Sequence, residues 1–174
     1  MLKPISEIVG AKLVDWEDSQ TIGEVTNWVI DPDRKKISAL IVKLAGLWRG
    51  LSVVTTIDVV EYGPGMVIVR NANAVVTPGE VAGLPQLLKT KHHVIQSRVE
   101  TQSGKLLGKV EDLLFETTDS TIQKLYIKPS GLSLLSLPDL VVGADKIARI
   151  EPRRIVVFDD AVGLAPGKLV SSEV

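Results

Sequence analysis

The chain has 174 residues, 45% of them hydrophobic, a formal net charge of −1 and no cysteine. This apolar content is enough to bury a core, so the composition excludes a largely disordered chain. The lack of cysteine excludes disulfides, thiolate metal sites and cysteine nucleophiles. The near-neutral charge gives no reason to expect a phosphate backbone or an anionic membrane surface as the partner.

Neither a leader peptide nor a membrane-spanning segment is predicted. The first ten residues carry Lys3, Pro4 and Glu7 in place of an apolar core. The most apolar runs, Ile37–Trp48 and Pro129–Ala144, fall well short of the roughly 20 apolar residues that are needed to cross a bilayer. We therefore expect a soluble, cytoplasmic protein.

The same pattern of residues occurs twice. "TIGEVTNWVIDPDRKKISALIVK" begins at Thr21 and "LLGKVEDLLFETTDSTIQKLYIK" begins at Leu106. An offset of 85 residues brings Gly23 onto Gly108 and aligns many apolar positions on either side. In both copies, runs of β-branched residues alternate with polar turns. The repeat therefore predicts two small linked domains, each all-β.

The strand that follows each glycine is predicted to bend. Its apolar residues in the first copy do not alternate but stand at Ile22, Val25, Trp28 and Ile30. Extra residues at Gly23 and near Thr26-Asn27 would restore the period of two as β-bulges, and such bending helps a small barrel to close. Gly23 and Gly108 are therefore predicted to be structural corners with no ligand role.

The stretch between the copies predicts a short helical connector. Thr77 and Glu80 have the spacing of a capping box, with Pro78 at the first helical position. Pro85 is expected to split the connector into two short turns. The predicted organisation is a first barrel at 1–74, the connector at 75–92, a second barrel at 93–160 and a loose tail at 161–174.

The order of segments resembles the PRC-barrel family. The first copy reads "IVGAKLV", "IGEVTNWVID", "ISALIVK", "AGLWRGL" and "TTID", and the second reads "VIQSRVE", "LGKVEDLLFE", "IQKLYIK", "SGLSLLSL" and "VGAD". The resemblance covers Ile8–Val69 and Val94–Val157. The second copy departs from the family pattern at Ile95, where glycine is usual, and at Glu116, where aspartate is usual. The resemblance implies two small, strongly bent β-barrels joined by the connector.

What the family shares is a barrel that contacts other proteins, with no common catalytic residue. The resemblance therefore implies a non-enzymatic protein-interaction or adaptor module that docks on a larger cytoplasmic or membrane-associated assembly. The family includes the soluble domain of the photosynthetic reaction-centre H subunit and the C-terminal domain of ribosome-maturation factors. Their other parts have no counterpart here, so neither function transfers directly. An RNA- or ribosome-associated maturation role stays open as an alternative.

Few residues suggest chemistry. His92-His93 is the only histidine pair, and a carboxylate- and histidine-dependent hydrolytic or metal-binding enzyme is the alternative that it leaves open. Asp58 and Asp145 recur at equivalent positions, where we expect them to cap turns. No catalytic residue and no cofactor is predicted.

One basic cluster is a candidate nucleic-acid site. It consists of Lys146, Arg149, Arg153 and Arg154. Single-strand binders add stacking aromatic residues to such clusters, and this half of the chain has only three, two of them in core-like strands. Nucleic acid is therefore not the expected partner.

Apolar side chains in two matching loops are predicted to lie at a barrel–barrel, dimer or partner interface. These residues are Leu47, Trp48, Leu134, Leu135 and Leu137. The strand 37–43 is also expected to be covered, because its outward face reads Ile37, Ala39 and Ile41, whereas the outward face of the second copy carries Lys124, Tyr126 and Lys128. Ile41 is therefore assigned to the same interface. The partner is expected to be a protein of unknown identity, and a homodimer is left open.

Overall fold

The structure is a computed structural model that describes residues 1–46, 50–130, 139–161 and 163–164. These residues form two mixed β-sheets, four short 3-10 turns and one α-helix. Across this part of the chain, no helix combines the length and the apolar character that crossing a membrane requires. The predicted all-β class is confirmed in this coarse sense.

The first strand, β1 (Leu2–Pro4), precedes the N-terminal sheet. The strands of that sheet are β2 Lys12–Asp15, β3 Thr21–Asp31, β4 Lys36–Leu44, β5 Ser52–Thr55, β6 Val59–Gly63, β7 Met66–Val69 and β8 Val75–Val76. They lie side by side in the order β6-β7-β2-β3-β4-β5-β8. All pairs are antiparallel except β2 with β7, which is parallel. We call the part of the chain that carries β2 to β8 the N-terminal half.

The C-terminal half carries the second sheet. Its strands are β9 Arg98–Thr101, β10 Leu106–Glu116, β11 Ile122–Pro129, β12 Leu140–Gly143, β13 Ile147–Glu151, β14 Arg154–Val157 and β15 Gly163–Leu164. Their order is β13-β14-β9-β10-β11-β12-β15, with β14 parallel to β9, which corresponds strand by strand to the order of the first sheet. In addition, β1 pairs with β10.

The long central strands β3 and β10 contain the bulges that the apolar spacing predicts. The pairing of β3 with β4 shifts between Val25 and Asn27, which leaves Thr26 as the extra residue, so this bulge is confirmed. The other shift lies at Ile22, because its neighbours Thr21 and Gly23 pair with consecutive residues of β2. That bulge is therefore one residue before the glycine rather than at it.

A third bulge, at Ser38 on β4, was not predicted. The pairing with β3 skips Ser38, which turns Ile37 to the opposite face from Ala39. Ile37 is fully buried in the main core, so its assignment to the outward face together with Ala39 and Ile41 is wrong. The copy behaves in the same way, since the pairing of β10 with β11 skips Gln123.

Gly23 and Gly108 lie where a neighbouring strand comes very close. A Cβ atom at Gly23 would lie 2.6 Å from the carbonyl oxygen of Lys43, and one at Gly108 would lie 2.1 Å from the carbonyl oxygen of Lys128. Only Gly108 has a positive φ, of +156°. The shared constraint at the two positions is therefore the close approach of the backbone, rather than a left-handed conformation.

The two halves join through residues that are equivalent in the repeat. Each contact joins one half to the other between the two hairpin turns that follow β3 and β10. The contacts are the antiparallel bridge between Lys36 and Thr121, the 2.9 Å bond from the Ile37 N–H to the Ser120 carbonyl and the 2.8 Å bond from the Ile122 N–H to the Lys35 carbonyl. When each residue is replaced by its equivalent in the other copy, at the offset of 85, the same set of contacts results. The halves therefore meet as the subunits of a two-fold dimer do, within one chain.

Side chains complete this junction. One core cluster contains residues of both halves, and in it the rings of Tyr62 and Phe115 meet edge to face, with centroids 5.3 Å apart. The Nζ of Lys35 donates hydrogen bonds to the carbonyls of Ala144 (2.9 Å) and Ile147 (2.7 Å). The two sheets thus share one core.

The single helix, α1 (Leu84–Thr90), lies between the two halves in sequence. The predicted capping box of Thr77 and Glu80 is present, but it caps only the 3-10 turn Pro78–Glu80. Pro85 does not interrupt the helix, because it lies in the first turn, where a missing N–H costs nothing. The break comes earlier, around Gly83, which has a φ of +77°.

Alanine at the two close-approach glycines should destabilise the protein. We expect Gly108→Ala to lower the free energy of unfolding by about 1–3 kcal/mol, and Gly23→Ala to lower it by less, because the neighbouring backbone must move in both cases. Gly79→Ala is the control, since a Cβ there meets nothing within 4 Å. Urea denaturation measures all three, and equal stability of Gly108→Ala and Gly79→Ala would contradict the close approach.

The Lys35 contact should contribute to the junction of the halves. Lys35→Met keeps the aliphatic chain but leaves two carbonyls without their donor, so we expect unfolding to be easier by about 1–3 kcal/mol. Arg34→Met is the matched control, because the Arg34 side chain is 80% exposed and forms its ion pair with the nearby Asp31. The control should change stability by less than about 0.5 kcal/mol. If the two variants unfold at the same urea concentration, Lys35 does not hold the halves together.

Candidate functional site

Most residues of the predicted interface lie outside the described part of the chain. Leu47 and Trp48 fall within 47–49, and Leu134, Leu135 and Leu137 fall within 131–138. Ile41 is described. It is partly buried and packs beside a small apolar cluster in which Leu84 of α1 meets Val29 and Ala39 of the N-terminal sheet.

A groove lies next to Ile41. It has a volume of about 360 Å³, and its three walls are the second part of β3, the helix α1 and the segment 91–95. The side chains that matter for its chemistry are Trp28, Ile41, Leu87, Leu88, Lys91 and His92. A second cavity, of about 550 Å³, touches Leu44 and Ala45 close to the undescribed residues 47–49. The first groove is the better candidate, because the predicted interface residue Ile41 lines it together with β3 and α1.

The bulge in β3 shapes the first wall. The Oδ1 of Asn27 accepts a hydrogen bond from the Trp28 N–H at 2.8 Å, and the Oδ1 of Asp112 accepts one from the Leu113 N–H at the same distance in the other half. The strand is therefore bent in the same way in both halves. In the N-terminal half it presents the partly exposed Trp28 to the groove.

The helix and the segment after it form the other walls. Leu87 and Leu88 are partly buried on α1, and the helix ends at Lys91, which has a φ of +46°. Thr90 donates its hydroxyl proton to the Leu87 carbonyl at 2.9 Å, so at the 3.0 Å contact with Thr90 it is the Nδ1 of His92 that donates. This bond orients the imidazole ring and leaves Nε2 available to another partner.

The groove is apolar inside and basic at its rim. Lys91, His92 and His93 line it, and none of the described residues that line it carries a carboxylate. A bound segment would therefore meet apolar surface along β3 and α1 and find charge complementarity for an acidic group near His92.

The equivalent place in the C-terminal half is occupied by the chain's own first strand. There β1 pairs antiparallel with the second part of β10, with Leu2 opposite Glu116, Lys3 opposite Phe115 and Pro4 opposite Leu114. The Ser6 hydroxyl adds a 2.5 Å hydrogen bond to the Asp112 carboxylate. In the N-terminal half, the equivalent edge of β3 pairs with the described strand β2, and only over Thr21–Glu24.

The other candidate residues have local contacts. Asp58 accepts a 2.6 Å hydrogen bond from the Thr55 hydroxyl, and β6 rather than a helix follows it. Asp145 lies inside the 3-10 turn Ala144–Lys146, whose N-cap is Gly143. Among the described residues, no group of three or more His, Asp or Glu side chains is arranged to hold a metal ion, so His92-His93 is not joined to such a group.

The basic cluster near the end of the chain is largely paired with acidic side chains. Its ion pairs are Lys146 with Asp160 (2.6 Å), Arg149 with Glu151 (2.7 Å), Arg154 with Glu151 (2.7 Å) and Arg154 with Glu100 (2.9 Å). The hydrogen bonds from Arg154 and Arg149 lower the pKa of Glu151 to about 2. These cations are already neutralised, which does not favour phosphate binding.

Sequence reasoning did not identify this groove. It assigned Trp28 to the bent strand and considered His92-His93 only for an alternative hydrolytic or metal site, and nothing brought the two together. The signal that was available was the comparison of the copies, because Ile41 stands where the C-terminal half has Tyr126.

No protein-family model matches the chain, and a search of curated proteins finds no similar sequence. What the groove does must therefore be inferred from its own residues and contacts.

The Glu151 network should make stability depend on acid pH. Because the pKa of Glu151 is lower in the folded chain than its ordinary value of 4.5, its contribution is present above about pH 4.5 and is lost as the pH falls toward 2. Glu151→Gln should thus unfold at lower urea than the wild type at pH 7, and the gap should shrink between pH 4.5 and 2. Glu61→Gln, on exposed β6, is the control and should show no such trend. A gap that stays constant with pH would contradict the network.

Proposed function

We propose that the chain is a non-enzymatic protein-interaction or adaptor module of PRC-barrel type, which docks on a larger cytoplasmic or membrane-associated assembly. The observation that carries this is the groove beside β3. Trp28, Ile41 and the two leucines of α1 line it and supply apolar contact area. Tryptophan is among the residue types that most often anchor a protein interface.

The family assignment is supported by the correspondence of the two sheets. Both halves have the same strand order, a parallel pair at the same place and bulges at equivalent positions. Such strongly bent strands are what the resemblance to two small barrels leads us to expect. In this family the barrel contacts other proteins, which agrees with an open groove that has apolar walls.

The groove can be obstructed by one substitution in its wall. Ile41→Tyr introduces at the groove wall the residue that the C-terminal half has at the same position, so the sheet is known to accept it there. We expect this variant to bind the partner at least about tenfold more weakly, which corresponds to about 1.4 kcal/mol. Val60→Tyr is the matched control, because Val60 is 50% exposed on β6 and does not line the groove.

The measurement is quantitative affinity capture from the native host with the wild type and both variants as bait, after their melting temperatures have been compared. A single protein that is retained by the wild type and by Val60→Tyr, and lost from Ile41→Tyr, supports the proposal. Photo-crosslinking from position 28 to the same protein would place it in the groove. If all three baits capture the same proteins equally, the groove is not the docking site.

A further inference from the structure

The two central strands differ in what lies at one edge. On β10, the side that pairs with β9 at one end pairs with β1 at the other. On β3, the corresponding side pairs with β2 at one end, and the described part of the chain provides no strand at Val29–Asp31. An edge of unpaired backbone groups is a template for another strand, and here the groove opens along it.

The free groups at this edge can be identified from the hydrogen bonds of the other half. The Thr117 N–H donates to the Met1 carbonyl, so by the alternation of an antiparallel ladder Phe115 exchanges both of its bonds with Lys3. Ile30 is the equivalent of Phe115. It stands opposite Ile37, whose N–H is donated to Ser120 and not to β3. The backbone of Ile30 therefore faces the groove.

The chain does not fill this edge with its own connector. By the offset of 85, the residues equivalent to Leu2–Pro4 are Leu87–Lys89, and these lie in α1. The helix packs on the outer face of the N-terminal sheet, at Val29 and Ala39, instead of pairing with the edge of β3. The space that a strand occupies in one half is thus a groove in the other.

We propose that the edge of β3 at Val29–Asp31 binds an extended segment of a partner protein as an added antiparallel strand, in the register that β1 has on β10. This rests on the proposed function and specifies the kind of partner. The segment's central residue lies opposite Ile30, and its backbone N–H and carbonyl bond to that residue.

Charge at the rim specifies the central residue further. In the C-terminal half, Lys3 pairs with Glu7 at 3.5 Å. The position of Glu7 is taken by His92 in the N-terminal half, beside Lys91. A carboxylate is thus replaced by an imidazole beside the Lys91 cation, and the partner segment carries an acidic residue where β1 carries Lys3.

The probe is a synthetic peptide with the sequence Met1–Glu7 that carries Lys3→Glu, added to the isotope-labelled full chain. We expect the Ile30 amide to shift and to exchange its hydrogen more slowly, while the Phe115 amide stays unchanged. Methylation of the peptide nitrogen at position 3 should weaken binding about tenfold or more, because it removes a ladder bond. Methylation at position 2 is the control, since that N–H points away from β3.

A charge exchange tests the recognition of the central residue. The wild type should prefer the glutamate peptide over the Met1–Glu7 peptide with its native lysine, and His92→Glu should reverse that preference. Lys89→Glu is the control, because Lys89 is exposed on α1 but does not line the groove, and it should leave the preference unchanged. Preferences that change equally in both variants would show a general effect of net charge and would overturn the assignment of His92.

Two further results would overturn strand addition. One is a shift at Phe115 in place of Ile30, which means that the peptide displaces β1. The other is that neither peptide binds while Ile41→Tyr still abolishes capture of the partner, in which case the groove docks a protein in another way and the proposed function stands. Loss of both effects would remove the proposed function as well.

Discussion

The rest of the structure depends on the exchange of backbone hydrogen bonds between two equivalent hairpin turns. Ile37 bonds to Ser120 and Ile122 bonds to Lys35, so each half donates and accepts once at the same place. A two-fold contact of this kind needs only one complementary surface, used twice. It holds the inner faces of both sheets together, and Tyr62 of one half packs on Phe115 of the other. This contact ties the core of one half to the core of the other.

Local features of the fold could be predicted, and features that depend on pairing could not. The spacing of apolar residues within β3 indicated the bulge at Thr26. The recurrence of glycine at the same place in both copies indicated the constrained positions Gly23 and Gly108. The bulge at Ser38 gives no such signal in its own strand. Comparing the copies would have found it, since isoleucine occurs at 37 and at 122 while the outward positions differ.

The groove lay beyond prediction for a different reason. The groove exists because β1 pairs with β10 and not with β3. A strand of three residues that ends in proline gives no indication that it pairs more than 100 residues away. The apolar outward face at Ile41 was the useful signal, because it indicated a surface that another element or a partner covers. The apolar loops, which received most of the functional interpretation, lie outside the described residues.

An open strand edge is a liability unless something restricts what can add to it. Three features of this edge limit its partners. Pro32 directly follows β3 and has no N–H, so the ladder cannot continue past Asp31. The bulge at Thr26 and the bond from the Trp28 N–H to Asn27 end the ladder on the other side. The helix α1 restricts access from the outer face. These features leave room for only a few residues in one register, so the strand addition that we propose is restricted to short extended segments.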